Sequence, residues 1–244
     1  MALQTGAVDP ADLPLCAVQS LSAFLELKHI FPQLLIPSEV TWLDPRHFQR
    51  FISHGDQAWL VEQPHPYGFV RISTMVSNPL AWTEMITRLK RLSISAGFSN
   101  DHSGKFLAAI DELWSNVVDH SKRSETGYIA FSLERGRFEF VVADHGVGVL
   151  ASLKSNPSYA QLTDHGRAIE LVLSEGVSRH YTEAGHGFGF RPLFVGLANI
   201  ARNLRFRSGD HAREITRTDG GAPASRTYEL AFLPGFFCSV ICAV

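Results

Sequence analysis

Three short motifs, each built from helix-spaced polar residues or alternating glycines, constrain the fold of this chain more than any other feature of its sequence. ELWSNVVDH occupies residues 112–120, DHGVG occupies residues 144–148 and GHGFG occupies residues 185–189. The first lies in a run with helical periodicity, the second follows a strand-like apolar run, and the third precedes a helix-like one. This order predicts an α/β unit with polar groups on a helix face, at a strand end and in a loop.

The first motif predicts a helix over residues 103–121 with two distinct faces. Glu112, Asn116 and His120 are four residues apart and therefore share one face. A carboxylate there can orient or deprotonate a nucleophile, and an amide oxygen can bind Mg²⁺. A solvated polar stripe is the alternative interpretation. A separate apolar stripe is predicted to be core, and consists of Ile110, Leu113, Trp114 and Val117.

The second motif places an acidic residue where a strand-like run ends. FEFVVA leads into Asp144, and Gly146 and Gly148 follow at alternate positions. Glycine permits tight turns and close approach of the backbone to a ligand. A carboxylate beside such a turn can accept a hydrogen bond from an exocyclic amine, whereas the alternative is a plain turn with an Asx hydrogen bond.

The third motif predicts a backbone anion site at the start of a helix. Gly185, Gly187 and Gly189 alternate immediately before the apolar run of residues 190–202. The N–H groups of such a loop, together with the N-terminus of the following helix, bind anions. The spacing matches neither the Walker nor the Rossmann glycine pattern, and a plain glycine-rich loop is the alternative.

Elsewhere the sequence predicts short elements on either side of a boundary at Asn78–Pro79. Residues 1–78 are predicted to form a small α/β region of unknown role, and residues 79–244 one larger unit. Arg135–Gly136 is predicted to be a hairpin turn. Further helices are predicted at 13–35, 81–95, 166–174 and 190–202, and strands at 40–43, 58–61, 68–76, 128–133, 138–143, 204–208, 214–218, 228–232 and 236–244.

Together the three motifs resemble the N, G1 and G2 boxes of the GHKL superfamily of ATPases and kinases, which includes gyrase B, MutL, heat-shock chaperones and sensor histidine kinases. The match covers residues 79–244. AIELVLSEGVSRHYTEAGHGFGF is similar to the ATP lid of small standalone bacterial members, and NLRFRSGD to one of their strands. The resemblance implies the Bergerat fold, a two-layer α/β sandwich with a mixed sheet covered by helices on one face. It also suggests a STAS-like N-terminal region.

The resemblance further implies a role for each matching residue. Glu112 would be the general base that positions water, Asn116 would ligate Mg²⁺, and Asp144 would bind the adenine amine. The other implied ATP-binding residues lie in the helix, the turn, the lid, the phosphate loop and a late strand, and are His120, Gly146, Gly148, Ser178, Arg179, Gly185, His186, Gly187, Phe188, Gly189 and Thr227.

These roles predict a Mg²⁺-dependent ATP-binding protein, and three activities are consistent with it. The first is an ATPase whose lid closes on ATP and acts as a switch for a protein partner or for an ATP-dependent homodimer. The second is a serine/threonine protein kinase of the anti-sigma-factor type, with Glu112 activating a partner hydroxyl. The third is a nucleotide-sensing module without hydrolysis. A histidine kinase is disfavoured, because Pro32 follows His29 and interrupts the helical hairpin such a kinase needs.

Composition narrows the partners and the compartment. The net charge of -2 gives no electrostatic argument for direct nucleic-acid binding. Cys16, Cys238 and Cys242 do not make a disulfide framework, which favours the cytoplasm. No apolar run reaches the roughly 18 residues needed to span a bilayer, and the histidine and cysteine spacings are not those of a zinc site. We therefore expect a cytoplasmic protein that uses ATP and Mg²⁺ and makes no membrane contact.

Overall fold

The elements of the fold are given by a computed structural model, which describes residues 20–34, 59–61, 65–174, 196–197, 200–217 and 223–244. The helices are α1 (Leu21–Ile30), α2 (Ile72–Val76), α3 (Pro79–Ser95), α4 (Asn100–His120), α5 (Gly148–Leu153) and α6 (His165–Ser174). The strands are β1 (Trp59–Val61), β2 (Tyr67–Arg71), β3 (Tyr128–Glu134), β4 (Arg137–Asp144), β5 (Ala201–Thr216) and β6 (Ala224–Ala243). Short 3₁₀ turns lie at Ser124–Thr126 and Pro157–Tyr159.

The described strands form one sheet in the order β1-β2-β3-β4-β6-β5, and every neighbouring pair is antiparallel. The predicted hairpin turn joins β3 to β4, with Glu134 opposite Arg137. β4 pairs with β6 along its whole length, from Arg137 opposite Ala243 to Asp144 opposite Phe236. The predicted α/β class is confirmed, but the sheet is antiparallel among the described strands rather than mixed.

Alternate residues of the central strands face two separate cores. On one face α3, α4 and α6 pack against side chains that include Phe131 and Phe140. On the other face α1 packs against side chains that include Tyr128 and Val141. Successive residues of a strand point to opposite faces, so β3 and β4, which are buried at almost every position, are covered on both sides. Helices therefore cover both faces of the sheet, whereas the prediction placed them on one.

α4 carries the first motif and has the apolar stripe predicted for it. Ile110, Leu113 and Val117 are at most 1% exposed and lie in the core. Trp114 is half-buried and stacks on Trp82 of α3, with ring centroids 4.9 Å apart. The apolar stripe fixes the rotation of α4 on the sheet, and thereby the direction in which its polar face points.

The segment after β2 folds as a helical turn, where the prediction was a strand continuing to residue 76. β2 ends at Arg71, whose partner Tyr128 is the first residue of β3, so the ladder offers no further partner. The Ile72 N–H bonds instead to the loop before β3. Ile72 and Met75 are buried three residues apart, and this spacing stabilises a helical turn in place of a strand.

β5 and β6 are each longer than predicted. Residues 204–208 and 214–218 were predicted as separate strands, as were residues 228–232 and 236–244, yet Ala201–Thr216 forms one continuous strand and Ala224–Ala243 another. β5 and β6 pair with each other as a two-stranded ribbon. Gly209 in β5 and Gly235 in β6 have φ of 64° and 72°, so they bend the β5–β6 ribbon without ending either strand.

The bent ribbon turns back on its own first half. Arg217 N donates to Arg202 O at 2.8 Å, and Asn203 Nδ2 donates to Glu214 Oε1 at 2.8 Å. The two ends of β5 therefore lie side by side, although fourteen positions of sequence separate them.

Several predicted elements fall at the margin of the described residues or beyond it. β1 confirms the strand predicted at 58–61, and α1 lies within the helix predicted at 13–35. Residues 196–197 are helical, but β5 begins at Ala201, so the helix predicted at 190–202 extends too far. The strand predicted at 40–43 lies outside the described residues, as does the remainder of 190–199.

The predicted division at Asn78 crosses the sheet. β2 lies before this residue and pairs with β3, which lies after it, so the described part of the first 78 residues shares one sheet with the rest. A STAS-like role for that region stays a prediction. Among the helices of the described ranges, none combines the length and apolar character needed to cross a bilayer.

α1 is attached to its face of the sheet by two carboxylates, those of Glu139 and Glu26. Glu139 of β4 accepts hydrogen bonds from Ser22 N at 2.7 Å and Ser22 Oγ at 2.6 Å, so it caps the N-terminus of α1 from another element. Glu26 pairs with Arg205 at 2.8 Å and with Arg207 at 2.5 Å. Arg207 is only 1% exposed, so Glu26 supplies the counter-charge for a guanidinium that water scarcely reaches.

We expect Glu26→Gln to lower the free energy of unfolding by about 3 kcal/mol, because Arg207 would stay buried without a counter-charge. Urea unfolding at pH 7 measures this loss. Glu134→Gln is the matched control, since Glu134 is exposed at the end of β3 and should change stability little. Equal losses in the two variants would contradict the expectation.

Candidate functional site

The DHGVG motif forms a tight turn at the end of β4. Asp144 is the last residue of this strand and is 3% exposed. Its Oδ1 accepts a hydrogen bond from Gly146 N at 2.6 Å. This is the Asx hydrogen bond given above as the alternative interpretation, and it orients the carboxyl group at the strand end. The turn geometry is therefore compatible with both interpretations of the motif.

The turn packs directly on the end of the helix that carries the first motif. Val147 N donates to the carbonyl oxygen of Ser121, the residue that follows α4, at 2.9 Å. His145 N donates to Thr126 Oγ1 at 2.9 Å. These bonds place residues 144–148 beside the C-terminal end of α4, so the structure brings the first two motifs together.

Two glycines permit this packing because any side chain would collide with backbone. A Cβ at Gly146 would lie 2.1 Å from Ser121 O. A Cβ at Gly235, in the bend of β6, would lie 2.1 Å from Asp144 O and 2.7 Å from Gly146 N. The turn is thus enclosed between the end of α4 and the bend of the β5–β6 ribbon.

Burial sets the ionisation of Asp144. Desolvation raises the pKa of its carboxyl group to about 6, and the hydrogen bond from Gly146 acts in the opposite direction. Among the described residues, Gly146 N is the group that donates a hydrogen bond to this carboxyl group. A buried carboxylate has more acceptor positions than one N–H occupies, so it can accept a further hydrogen bond from a ligand amine.

The polar face of α4 presents Glu112, Asn116 and His120, and all three are half-buried. Asn116 Nδ2 donates to Glu112 O at 2.7 Å and lies 3.4 Å from Glu112 Oε1. Because the amide nitrogen is directed to Glu112, the amide oxygen of Asn116 is the atom left for a cation. His120 is the last residue of α4, next to the contact with the turn.

The oxygen donors on this face suit Mg²⁺, which binds oxygen and needs few protein ligands when a nucleotide supplies others. Among the described residues, no group of three or more His, Cys, Asp or Glu side chains is arranged to hold a metal ion.

Thr227, which the resemblance placed near the adenine, makes polar contacts with α6 and β5. Thr227 Oγ1 donates to Glu170 Oε1 at 2.8 Å and accepts from Arg213 Nη1 at 2.9 Å. These contacts place Thr227 against α6, and the role beside adenine that the resemblance implied for it stays a prediction. The bend of β6 at Gly235 redirects the part of the strand that carries Thr227.

The lid and phosphate-loop residues predicted from the sequence lie outside the described residues. The structure gives the elements on either side of them, α6 before and β5 after. Their implied roles stay predictions, and the residues concerned are Ser178, Arg179, Gly185, His186, Gly187, Phe188 and Gly189.

Ser208 supports the turn and was not predicted to do so. Its Oγ accepts from Val149 N at 2.9 Å and donates to Gly235 O at 2.7 Å. One buried hydroxyl thus joins the start of α5 to the ribbon bend, beside Gly148. The available signal was its place in NLRFRSGD, the segment already noted as similar to a strand of bacterial ATP-binding proteins.

α6, which leads towards residues 175–195, is anchored by a second polar cluster. His165 Nδ1 lies 2.8 Å from Asp210 Oδ1, and His211 Nδ1 lies 2.7 Å from the same oxygen. Asp210 and His211 belong to β5, so this cluster fixes the first turn of α6 to the ribbon.

No protein-family model matches the chain, and no curated protein shows significant sequence similarity to it.

We expect Asp144→Asn to raise the free energy of unfolding at pH 7 by about 1–3 kcal/mol, because the variant avoids burying a charge. Asparagine keeps an oxygen that can accept from Gly146 N. The folded-state pKa of Asp144, about 6, exceeds its ordinary value of 3.8, so the stability that its carboxyl group contributes is lost as the pH rises through 6.

The gain should therefore shrink towards zero at pH 4, and urea unfolding at both pH values measures it. Asp119→Asn, at an exposed position of α4, is the control. A gain that does not depend on pH would refute the ionic explanation.

Proposed function

We propose that this protein binds Mg²⁺-ATP through a domain of the Bergerat type and acts as an ATPase whose nucleotide state is read by a protein partner. The observation that carries this proposal is the packing of the buried Asp144 turn against the end of the helix that presents Glu112, Asn116 and His120. If Asp144 binds the adenine and the polar face of α4 acts on the phosphates of the same ATP molecule, the two must lie close together.

The Asp144 carboxyl group supports adenine as the base. It is buried, and the Gly146 N–H donates to only one of its oxygens. The exocyclic amine of adenine would donate a further hydrogen bond to this acceptor, whereas guanine presents a carbonyl oxygen at the same ring position. Two acceptors facing each other in a buried site leave both groups unsatisfied, so the site should discriminate against GTP.

The polar face of α4 supports a reactive role at the phosphate end. The Asn116 amide oxygen would ligate Mg²⁺, which neutralises phosphate charge when bound. Glu112 lies beside Asn116 on the same face, where its carboxylate would orient a water molecule and accept its proton. A site that only binds nucleotide has no need of this carboxylate, which is why we favour hydrolysis.

The remaining parts of the proposal concern residues 178–189 and the way in which a partner detects bound nucleotide. Backbone N–H groups of residues 185–189 would bind the phosphates, with Ser178 and Arg179 in a lid that closes over them. Closure would present a changed surface to a partner protein or to a second copy of the chain.

We expect Asp144→Asn to weaken ATP binding at least tenfold, because its amide cannot provide the ionised acceptor that the exocyclic amine meets in the wild type. Isothermal titration calorimetry with ATP and with GTP, in the presence of Mg²⁺, measures both affinities. Asp119→Asn again serves as the control. Since Asp144→Asn is expected to be more stable than the wild type, lost binding would not reflect unfolding. Unchanged ATP affinity would remove the adenine assignment.

We expect Glu112→Ala to abolish phosphate release while ATP affinity changes less than threefold, because a general base contributes about 10²–10⁴ in rate. Phosphate release from Mg²⁺-ATP by the purified protein measures the rate, with Glu84→Ala at an exposed position of α3 as the matched control. Label transfer from ATP to a partner protein, without free phosphate, would identify a kinase instead. ATP binding with neither reaction would identify a nucleotide sensor.

A further inference from the structure

The C-terminal end of α1 contacts the Asp144–Gly148 turn from the face of the sheet opposite α4. His29 of α1 is 2% exposed, and its imidazole stacks on that of His145, the second residue of the turn. The ring centroids lie 3.7 Å apart and the rings are inclined by 10°. His145 Nε2 also lies 3.3 Å from His29 O. His29 therefore contacts the turn through both its imidazole ring and its backbone carbonyl oxygen.

His29 also contacts β6, the other strand that borders the turn. His29 Nε2 lies 2.8 Å from Pro234 O, so it carries the proton and donates. Pro234 precedes Gly235, whose Cα lies against Asp144 O and Gly146 N so closely that no Cβ would be accommodated. His29 thus fixes both sides of a contact on which the position of the Asp144 carboxyl group depends.

We propose that α1 is a latch for the nucleotide-binding turn, docked through the stacked His29–His145 pair, and that undocking of α1 loosens the turn and lowers its affinity for nucleotide. The affinity part of this proposal rests on the proposed function, while the latch itself rests on the contacts described here. A turn that has become mobile must be ordered again when ligand binds, and that ordering reduces the apparent affinity.

Proton uptake is a direct way to open this latch. A proton on His29 would place a charge in an apolar core, against a second imidazole and near the Arg207 guanidinium. Burial, followed by the neighbouring His145, lowers the pKa of His29 to about 4. Burial likewise lowers the pKa of His145. Both rings are therefore neutral while α1 is docked at neutral pH.

Docking should therefore weaken as the pH falls. The docked pKa of His29 lies below its ordinary value of 6.5, so the undocked state binds the proton more readily, and docking is fully favoured above pH 6.5 and lost towards pH 4. Around the pair lie several described titratable or charged groups, which are Glu26 on α1, Arg71 on β2, Arg123 before β3, Tyr128 on β3, Arg207 on β5 and Asp144, the residue before His145.

Amide hydrogen exchange of the nucleotide-free protein tests the latch. The reporters are the N–H groups of Val147 and Val149, which donate to Ser121 O and Ser208 Oγ. Between pH 7 and pH 5.5 protonation of His29 favours opening of these amides, whereas protonation of Asp144, whose folded pKa is about 6, opposes it. His29→Gln retains a donor for Pro234 O but cannot take up the proton, so it keeps the Asp144 effect alone. We therefore expect the ratio of wild-type to His29→Gln opening, corrected for the intrinsic pH dependence of exchange, to increase roughly tenfold between pH 7 and pH 5.5.

A second variant opens the latch at a distance from the turn and at constant pH. Ser22→Asp would place a carboxylate against the buried Glu139 and displace the N-terminal end of α1. Ala23→Asp adds the same charge at the next residue, which is exposed, and serves as the control. We expect Ser22→Asp, but not Ala23→Asp, to raise the opening of Val147 and Val149 at least tenfold and to weaken ATP binding to a similar extent.

The outcomes separate this proposal from the proposed function. Unchanged exchange in Ser22→Asp, or the same pH response in His29→Gln as in the wild type, would overturn the latch even if ATP binds. Faster exchange of Val147 and Val149 in Ser22→Asp, with unaltered ATP affinity, would overturn the proposal that docking of α1 affects nucleotide binding. If the wild type binds no ATP but exchange behaves as expected, the proposed function fails and the latch is supported.

Discussion

Close backbone contacts around residues 144–148 position the candidate site. The carbonyl oxygen of Ser121 and the backbone of Gly235 approach this turn from two sides, at distances that exclude a side chain at Gly146 or Gly235. These contacts join elements that are far apart in sequence, namely the end of α4 and the bend of the β5–β6 ribbon. The polar face of α4 and the Asp144 carboxyl group keep a fixed relation because neither neighbour can move without opening the turn.

Two carboxylates in this fold, those of Glu26 and Asp144, have opposite energetic roles. Glu26 has both Arg205 and Arg207 within ion-pair distance, so its charge is compensated inside the protein. Among the residues that the structure describes, Gly146 N is the one donor to Asp144, and the pKa of Asp144 is raised, so these residues compensate its charge poorly. A group that destabilises the fold but is held in a defined orientation is typical of a site prepared for a ligand.

Local features of the fold could be predicted from the sequence, whereas contacts between distant segments could not. The faces of α4 and the β3–β4 hairpin follow from periodicity within about twenty residues. The support of the turn by Ser208 and Gly235 depends on how the ribbon bends, which no local pattern encodes. The sequence also predicted a separate region for residues 1–78, which include α1. The polar contacts of α1 with Glu139 and the arginines produce no periodic pattern in the sequence, so they could not be predicted.

The contact between the two ends of β5 also affects whether molecules of this protein can pair with one another through the edges of their sheets. β5 is an outer strand of the sheet, and an outer strand with free backbone groups is a template for pairing with another chain. The hydrogen bond from Arg217 to Arg202 occupies part of that edge with the strand's own far end. β1, at the opposite edge, is only three residues long. Within the described part of the sheet, one edge is therefore short and the other is partly occupied, and both features limit intermolecular strand addition while the protein folds.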